Sequence, residues 1–255
     1  GMLGKGALEI KPLRKKLFLK FFNFLFNSNL FWHATAEQEK LEILNNFGKD
    51  SKVYVAPNLL KKEKTLLSKR IKQKNKINIF FLSRISKKKN LIGAINILSK
   101  VDSNHKINFS IIGPIEDNFY WKKCLKLINK LNSNINVNLL KSIPNHKLGN
   151  VLKGQHLLLL PTFHENFGHV IIESMQWGCP VIISDQTPWK NLKTKKLGYN
   201  IKLSDIEAFS SAVNHFSIME ASEYNKWSNS AYKFASELSG DKEMILKTKN
   251  IFING

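Results

Sequence analysis

Short apolar segments alternate with segments of helical periodicity along the chain from about residue 77 onward. The apolar segments, which have the length and composition of buried strands, lie at residues 77–82, 107–112, 135–139, 157–160 and 180–184. The segments with helical periodicity lie between and after them, at residues 91–101, 118–131, 147–152 and 167–177. Strands of this kind separated by helices are typical of a parallel sheet that is covered on both faces. The pattern therefore predicts an α/β fold with a doubly wound parallel sheet, completed by two or three further helices.

The first part of the chain follows a different pattern. Residues 51–58 predict a strand that ends at Pro57, and a lysine-rich stretch without glycine follows at residues 59–76. We interpret that stretch as the link into the sheet domain. Residues 1–57 are too few for a second α/β domain, and we expect them to be the end of one.

An apolar run from Leu17 to Trp32 is interrupted by lysine, asparagine and serine, so it is a poor candidate for a membrane-spanning helix. Basic residues share this region with phenylalanine and leucine; they are Lys11, Arg14, Lys15, Lys16 and Lys20. A basic, amphipathic helix can bind an anionic membrane surface. The same spacing also fits an ordinary helix with one buried face, and the sequence leaves both interpretations open.

The formal net charge of +21 comes mainly from lysine. It fits nucleic-acid binding, an anionic membrane or a solvated basic surface. The chain has no recognition-helix, zinc-finger or RNA-binding signature, so we prefer the solvated surface and expect no nucleic-acid partner. The two cysteines, Cys124 and Cys179, fit no zinc or redox spacing and suit a reducing cytoplasm. No G-x-G-x-x-G follows the first sheet strand, which argues against a dinucleotide oxidoreductase.

The stretch from Pro161 to Pro180 leaves a buried strand, crosses a polar loop and enters a helix near Phe167. Ligands of open α/β sheets bind at this kind of edge, and a helix N-terminus suits a phosphate. Gly168 allows close approach of a ligand to the backbone. Glu165 precedes the helix, and Glu173, about two turns into it, can accept both hydroxyls of a ribose. Solvated surface charge is the competing interpretation, but the apolar surroundings disfavour it.

A second polar loop follows the first strand of the sheet. It contains Arg84 and Lys89, which can both neutralise a diphosphate, whereas Lys87 and Lys88 between them are expected to be solvated. In a parallel sheet this loop lies at the same edge as the two glutamates. The sequence therefore predicts one anion-binding site that is built from both loops.

These segments resemble the motifs of the retaining GT-B glycosyltransferases of family 4. Residues 165–173 with Gly178, Cys179 and Pro180 are similar to that family's E-x7-E region. Residues 82–89 are similar to its G-R-x4-K phosphate clamp, with Ser83 in place of the usual glycine. Residues 31–39 and 56–58 resemble the segments that lead out of the family's N-terminal domain.

The resemblance implies a Rossmann-like C-terminal half of a GT-B fold, with a helical remnant of the N-terminal domain and without most of that domain. The implied domains are the remnant at 1–57, the nucleotide-sugar-binding domain at 58–235 and a C-terminal helix at 236–255 that packs back on the first segment. Carried over by position, Arg84 and Lys89 hold the diphosphate. Glu165 holds the donor sugar and is the one residue predicted to be catalytic, and Glu173 holds the ribose.

The remaining expectations also follow from the resemblance. The backbone of Asn166, Phe167, Gly168 and His169 completes the phosphate cradle, and Ser142 and Ile143 lie where the nucleotide base packs. The donor is expected to be a UDP-sugar, with GDP- and ADP-sugars as alternatives. The acceptor is a polysaccharide, a lipid-linked glycan or a cell-surface glycan. Transfer is expected to proceed with retention and without a metal or another cofactor.

Two other functions stay open at this point. One is a nucleotide-sugar-binding module that is inactive without a partner N-terminal domain, and the other is a basic nucleic-acid-binding protein with a Rossmann-like core. The expected location is the cytoplasm, with the inner face of the membrane as a peripheral site. His164 and His169 flank the predicted site, and we assign neither a catalytic role.

Overall fold

The structure is a computed structural model that describes residues 12–26, 30–35, 37–56, 58–60, 67 and 69–254. The described residues fall into two compact units. One contains those of residues 1–61 and 239–254, and the other contains those of residues 62–238. The predicted domain limits after residues 57 and 235 stay predictions. Residues 1–11 of the predicted remnant and 61–66 of the predicted link lie outside the described residues.

The N-terminal part of the first unit has two helices and a small parallel sheet. Its elements are α1 (Pro12–Phe26), β1 (Phe31–Ala34), α2 (Glu37–Phe47) and β2 (Lys52–Val55). Strands β1 and β2 pair with Phe31 opposite Lys52. A small core lies between them and the helices, where Leu19, Ile43 and Phe47 are buried and the Trp32 ring stacks on Phe47 at 4.2 Å.

The outward side of α1 is apolar and exposed. Phe24 is 87% exposed, and the side chains of Leu17 and Phe21 are also largely in contact with solvent. Leu19 of this helix is buried in the core, and Phe22 packs against it. In the part of the chain that the structure describes, no helix is long and apolar enough to cross a membrane.

The second unit is a six-stranded parallel sheet with helices between its strands. The strands are β3 (Lys76–Leu82), β4 (Lys106–Ile112), β5 (Ile135–Leu140), β6 (Leu157–Leu160), β7 (Val181–Ser184) and β8 (Gly198–Ile201). The helices are α3 (Leu91–Leu98), α4 (Asn118–Ile128), α5 (Asn145–Leu152), α6 (His169–Gln176), α7 (Ile206–Ile218) and α8 (Ala221–Ser239). A final helix, α9 (Lys242–Asn254), belongs to the first unit.

The strand order places a topological switch point between β3 and β6. The order across the sheet is β5-β4-β3-β6-β7-β8, and every pair of neighbours is parallel. The chain therefore builds outward from β3 in one direction and from β6 in the other. Because parallel crossovers are right-handed, this reversal puts helices on both faces of the sheet. Strands β6 and β7 are buried throughout, which explains why their sequences are continuously apolar.

The fold class is confirmed, and the limits of several helices need correction. Helix α4 ends at Ile128 rather than Leu131, and α5 begins at Asn145 rather than Lys147. Helix α6 begins at His169 rather than Phe167, because Gly168 in the left-handed region (φ 76°) caps it. Helix α3 ends at Leu98 rather than Val101. Strands β1 and β8 were not predicted, since each has four residues and mixes polar with apolar side chains.

The link before β3 contributes a buried arginine to the sheet unit. Arg70 is 7% exposed, and its guanidinium donates to the carbonyl oxygens of Leu152 (2.8 Å) and of Lys153 and Trp177. These carbonyls lie at the C-terminal ends of α5 and α6, where backbone acceptors lack partners within the helix and the helix dipole is negative. Arg70 therefore ties both helix ends to the link.

Candidate ligand-binding site

A pocket lies at the carboxyl ends of β3 and β6, where the sheet order reverses. It is lined by Leu82, Ser83, Arg84, Lys89, Ile143, Leu148, Glu165, Gly168, His169, Val170 and Glu173. Ligands of doubly wound sheets bind outside the carboxyl ends of the strands at such a switch point. The position of the pocket is therefore a consequence of the strand order.

The loop after β3 is hydrogen-bonded to the loop after β4. The Ser83 amide donates to the Ile112 carbonyl at 3.0 Å, and the Ile85 amide donates to the Pro114 carbonyl at 2.8 Å. The Ile85 carbonyl in turn accepts from the amide of Glu116 at 3.2 Å. The two loops thus continue the pairing of their strands beyond the sheet. Arg84 lies between Ser83 and Ile85, whose amides both take part in this pairing.

Asn90 joins the loop after β3 to the loop after β6. It adopts a left-handed conformation (φ 58°) as the N-cap of α3, and its side-chain oxygen accepts from the Gly93 amide at 3.1 Å. Its side-chain nitrogen donates to the Pro161 carbonyl at 2.8 Å, and the Phe163 amide donates to the Lys88 carbonyl at 3.0 Å. These bonds fix Lys89 relative to the loop that carries Glu165.

The loop after β6 is also held from its other side, by residues that follow β7. The Glu165 amide donates to the Gln186 carbonyl at 3.1 Å, and the indole of Trp189 donates to the Phe167 carbonyl at 2.5 Å. The Trp189 ring also contacts the Phe167 ring edge-on, with 5.3 Å between centroids. The loop that carries Glu165 is therefore hydrogen-bonded to the segment that follows β7.

Gly168 places the N-terminus of α6 at the pocket. Its φ of 76° and ψ of 59° favour glycine, and a Cβ atom there would lie 2.7 Å from Cδ1 of Ile171. The first amides of α6 have no acceptor one turn earlier in the helix and carry a partial positive charge, which suits an anion. Glu173 lies just over one turn into the helix and lines the same pocket.

Lys89 and Glu165 form a largely buried ion pair in the pocket wall. The Lys89 ammonium donates to the Glu165 carboxylate, and the two side chains are 14% and 11% exposed. The pair uses one of the three donors of the ammonium and one oxygen of the carboxylate, so both groups keep hydrogen-bonding capacity. A cation that can bind a phosphate and a carboxylate that can accept hydroxyl groups thus lie side by side.

Arg84 forms a second ion pair, at the exposed rim. Its Nη1 donates to Oε1 of Glu116 at 2.6 Å, and the side chains are 60% and 45% exposed. Water screens such a pair, so its net contribution to stability is small. The guanidinium retains further N–H donors that can bind an anion.

Seven of the ten predicted site residues line the pocket, and three do not. The seven are Arg84, Lys89, Ile143, Glu165, Gly168, His169 and Glu173. Ser142 is exposed beside Ile143, and Phe167 packs on Trp189. The side chain of Asn166 accepts from Nε2 of His164 at 2.6 Å. The ligand roles of all ten residues stay predictions.

The sequence interpretation missed the residues that hold this arrangement together. Asn90 could have been found, because an asparagine directly before an apolar helical run is a typical N-cap. Glu116 and Trp189 carried no signal, because their partners lie 32 and 22 residues away in the chain. Among the described residues, no group of three or more histidine, cysteine, aspartate or glutamate side chains is placed to hold a metal ion.

Comparison with known proteins assigns the family. The sequence profile of the family described as "Glycosyl transferases group 1" matches residues 62–234, which make up most of the chain. No curated protein matches this sequence.

Several solved structures share the fold at low sequence identity. HepE of Anabaena, crystallised with UDP and glucose, is 15% identical with a TM-score of 0.69, over 94% of this chain and 66% of its own. A glycosyltransferase of Rickettsia africae is 17% identical with a TM-score of 0.69, over 93% of this chain and 66% of its own. WaaG, a glycosyltransferase involved in lipopolysaccharide biosynthesis, is 15% identical with a TM-score of 0.66, over 87% and 61%. The chain spans less than two thirds of each of these proteins.

Proposed function

The chain belongs to the group 1 glycosyl transferases, and we propose that it binds a UDP-sugar in the pocket and supports transfer of the sugar with retention of configuration. One observation supports this most strongly. Two cations, two carboxylates and a helix N-terminus converge on one pocket at the switch point of the sheet. A nucleoside-diphosphate sugar needs this combination, since it joins a charged diphosphate to two hydroxyl-rich rings.

Each group has a defined task in the proposal. Arg84, Lys89 and the first amides of α6 bind the diphosphate and stabilise the negative charge that develops as it departs. Glu165 accepts hydrogen bonds from the donor sugar and is the catalytic residue of the proposal, because it contacts the ring at which the bond breaks. Glu173 accepts both ribose hydroxyls. Ile143 offers an apolar surface to the base, next to Ser142.

The ion pair of Lys89 with Glu165 supports these assignments. It places the cation that would bind the phosphate in contact with the carboxylate that would bind the sugar. The proposal needs no metal ion, because the positive charge of Arg84 and Lys89 already lines the pocket. The acceptor in this proposal is a polysaccharide, a lipid-linked glycan or a cell-surface glycan, and transfer takes place in the cytoplasm.

Titration of UDP, GDP and ADP by calorimetry tests the donor assignment. The proposal predicts the tightest binding for UDP, whereas selective binding of GDP would contradict the choice of base. Retention is tested by nuclear magnetic resonance of the sugar that is released or transferred from an α-linked UDP-sugar. The α-anomer is expected as the first product, and a β-anomer would show inversion.

The exposed face of α1 supports a second part of the proposal, which is peripheral contact with an anionic membrane. Leu17, Phe21 and Phe24 project from α1 beside Arg14 and Lys20, and the helix contains no acidic residue. Basic charge attracts anionic headgroups, and the apolar side chains can enter the interface. A lipid-linked acceptor would also be found there.

Sedimentation with lipid vesicles tests this contact. The chain should bind vesicles that contain phosphatidylserine, and binding should be lost in Phe21→Asp/Phe24→Asp. The matched control is Phe119→Asp, which changes a phenylalanine that is 65% exposed in the other unit. Equal binding to neutral vesicles, or equal loss in the control, would contradict the membrane part of the proposal without affecting the donor site.

A further inference from the structure

The two cations of the pocket differ in how firmly a carboxylate holds each of them. Lys89 and Glu165 are almost enclosed, at 14% and 11% exposure, whereas Arg84 and Glu116 are 60% and 45% exposed. Breaking an enclosed pair leaves a charge away from water, which is costly. An exposed pair changes an equilibrium by about fivefold at most. The Arg84 pair is therefore the one that an incoming anion can open.

The backbones that carry Arg84 and Glu116 are both anchored, so only the side chains of this pair can move. The Ile85 carbonyl accepts from the amides of Glu116 at 3.2 Å and Asp117 at 3.3 Å, and the Ile85 amide donates to the Pro114 carbonyl at 2.8 Å. These bonds anchor the loop on both sides of Glu116. Arg84 carries the longer and the more exposed of the two side chains. Its guanidinium can turn from the carboxylate toward the pocket that it lines.

We propose that Glu116 is a built-in counterion of Arg84, which a diphosphate must displace and which thereby sets the affinity of the pocket for phosphates. This inference rests on the proposed function, because it takes the ligand to be a nucleoside diphosphate. Lys89 keeps its bond to Glu165 when the ligand binds and contacts the phosphate through its remaining donors. Glu116 thus acts through Arg84 and is not itself a ligand-binding residue.

The opposite effect of Glu116, an increase in affinity through orientation of Arg84, is the smaller one. Orientation by an exposed ion pair contributes about fivefold at most. If a separation of about 6 Å from the Glu116 carboxylate to a bound phosphate is assumed, repulsion with the dielectric constant of water weakens binding by about threefold for each ligand charge at that distance. A diphosphate carries at least two charges, so repulsion and competition together, about tenfold or more, exceed the orienting effect.

Calorimetric titration of UDP into the full chain and Glu116→Gln measures this effect. The variant should bind UDP about three- to tenfold more tightly at low ionic strength, and the gain should shrink as salt screens the charges. UMP, with one phosphate, should show a smaller gain. Glu223→Gln is the control, because it removes the same charge from an exposed glutamate that pairs with Lys226 at 3.0 Å. Its affinity for UDP should stay that of the parent chain.

The same substitution in an Arg84→Ala background separates displacement from general repulsion. Without the guanidinium the competition disappears and only direct repulsion remains, so the gain from Glu116→Gln should be at least about twofold smaller than in the parent chain. An equal gain in both backgrounds would overturn the counterion role, as would unchanged or weaker binding in Glu116→Gln alone. Failure of the parent chain to bind any nucleoside diphosphate would reject the proposed function and this inference with it. If the parent chain binds UDP and Glu116→Gln binds it with the same affinity, this inference alone is rejected.

Discussion

Lys89 and Glu165 follow the two strands between which the order of the sheet reverses, and they form an ion pair there. The residues are 76 positions apart in the chain. Two bonds bring their loops together, from Asn90 to the Pro161 carbonyl and from the Phe163 amide to the Lys88 carbonyl. The strand order of the sheet therefore explains why these two charged side chains meet in the pocket.

Removing the cation of this pair should destabilise the fold. Lys89→Met leaves the Glu165 carboxylate largely enclosed without its partner, and we expect the free energy of unfolding to fall by about 2–4 kcal/mol. The additional change Glu165→Gln should recover a large part of that loss, since it removes the remaining charge. Urea unfolding of the single and double variants measures both effects.

Arg84→Met is the matched control for this prediction, because it breaks the exposed pair with Glu116. It should cost less than about 1 kcal/mol. Equal losses in Lys89→Met and Arg84→Met would show that burial does not distinguish the two pairs.

Gly168→Ala should destabilise the protein by about 1–2 kcal/mol, because its φ of 76° is unfavourable for a residue with a Cβ atom. The new methyl group would also meet Cδ1 of Ile171 at 2.7 Å, which displaces the start of α6. Thermal unfolding measures the loss. Gly154→Ala provides the comparison, since its Cβ atom would meet only the Val151 carbonyl, at 3.9 Å. If Gly154→Ala is as destabilising as Gly168→Ala, the conformational explanation is wrong.

Arg70→Met should lower the free energy of unfolding by about 3 kcal/mol. The substitution removes the donor that the carbonyls of Leu152, Lys153 and Trp177 share, and it leaves these buried or partly buried acceptors without that partner. Chemical denaturation compares this variant with Lys69→Met, which changes the exposed residue next to it. A loss below about 1 kcal/mol in Arg70→Met would contradict the role of the guanidinium as a cap of both helices.

His156 should make stability depend on pH in the acidic range. Burial lowers its pKa from 6.5 to about 4, and its Nδ1 accepts from the Asn78 amide at 2.9 Å while Nε2 contacts the Ile71 carbonyl at 3.0 Å. Below pH 6.5 the unfolded chain binds a proton that the folded chain does not accept until about pH 4. The free energy of unfolding should therefore fall as the pH falls through this window, by up to about 1.4 kcal/mol per pH unit.

Denaturation of the parent chain and His156→Asn from pH 7 to pH 4 tests this dependence. Asparagine keeps an acceptor but does not titrate, so the variant should be less stable at pH 7 and lose less stability on acidification. Carboxylates titrate in both proteins, so the difference between the two curves isolates the histidine. Parallel curves would mean that His156 does not carry the effect.

The sheet was predictable because burial on both faces makes its strands continuously apolar. Strands β6 and β7 were located to within one residue on that basis. Strand β8 was not, because it is short and its Tyr199 and Asn200 are only partly buried. The start of α6 was placed two residues early, since the apolar pattern includes Phe167 while the backbone conformation of Gly168 decides where the helix begins.

The candidate site was predictable as far as its motifs lie next to strand ends. Arg84, Lys89, Glu165 and Glu173 meet at one pocket because parallel strands bring their carboxyl ends to one edge. The bonds that join the loops were not predictable. Glu116 pairs with Arg84 across 32 residues, and no local spacing carries that information.

The central claim is that this pocket binds the diphosphate and ribose of a nucleotide sugar. Calorimetric titration of UDP into the chain, Arg84→Ala and Glu173→Ala tests it most directly, with Glu223→Gln as the control for an exposed charge away from the pocket. We predict a micromolar to millimolar dissociation constant for the chain and the control, and binding at least about tenfold weaker in both pocket variants. Binding that neither pocket variant weakens, or no binding of any nucleoside diphosphate, would contradict the claim.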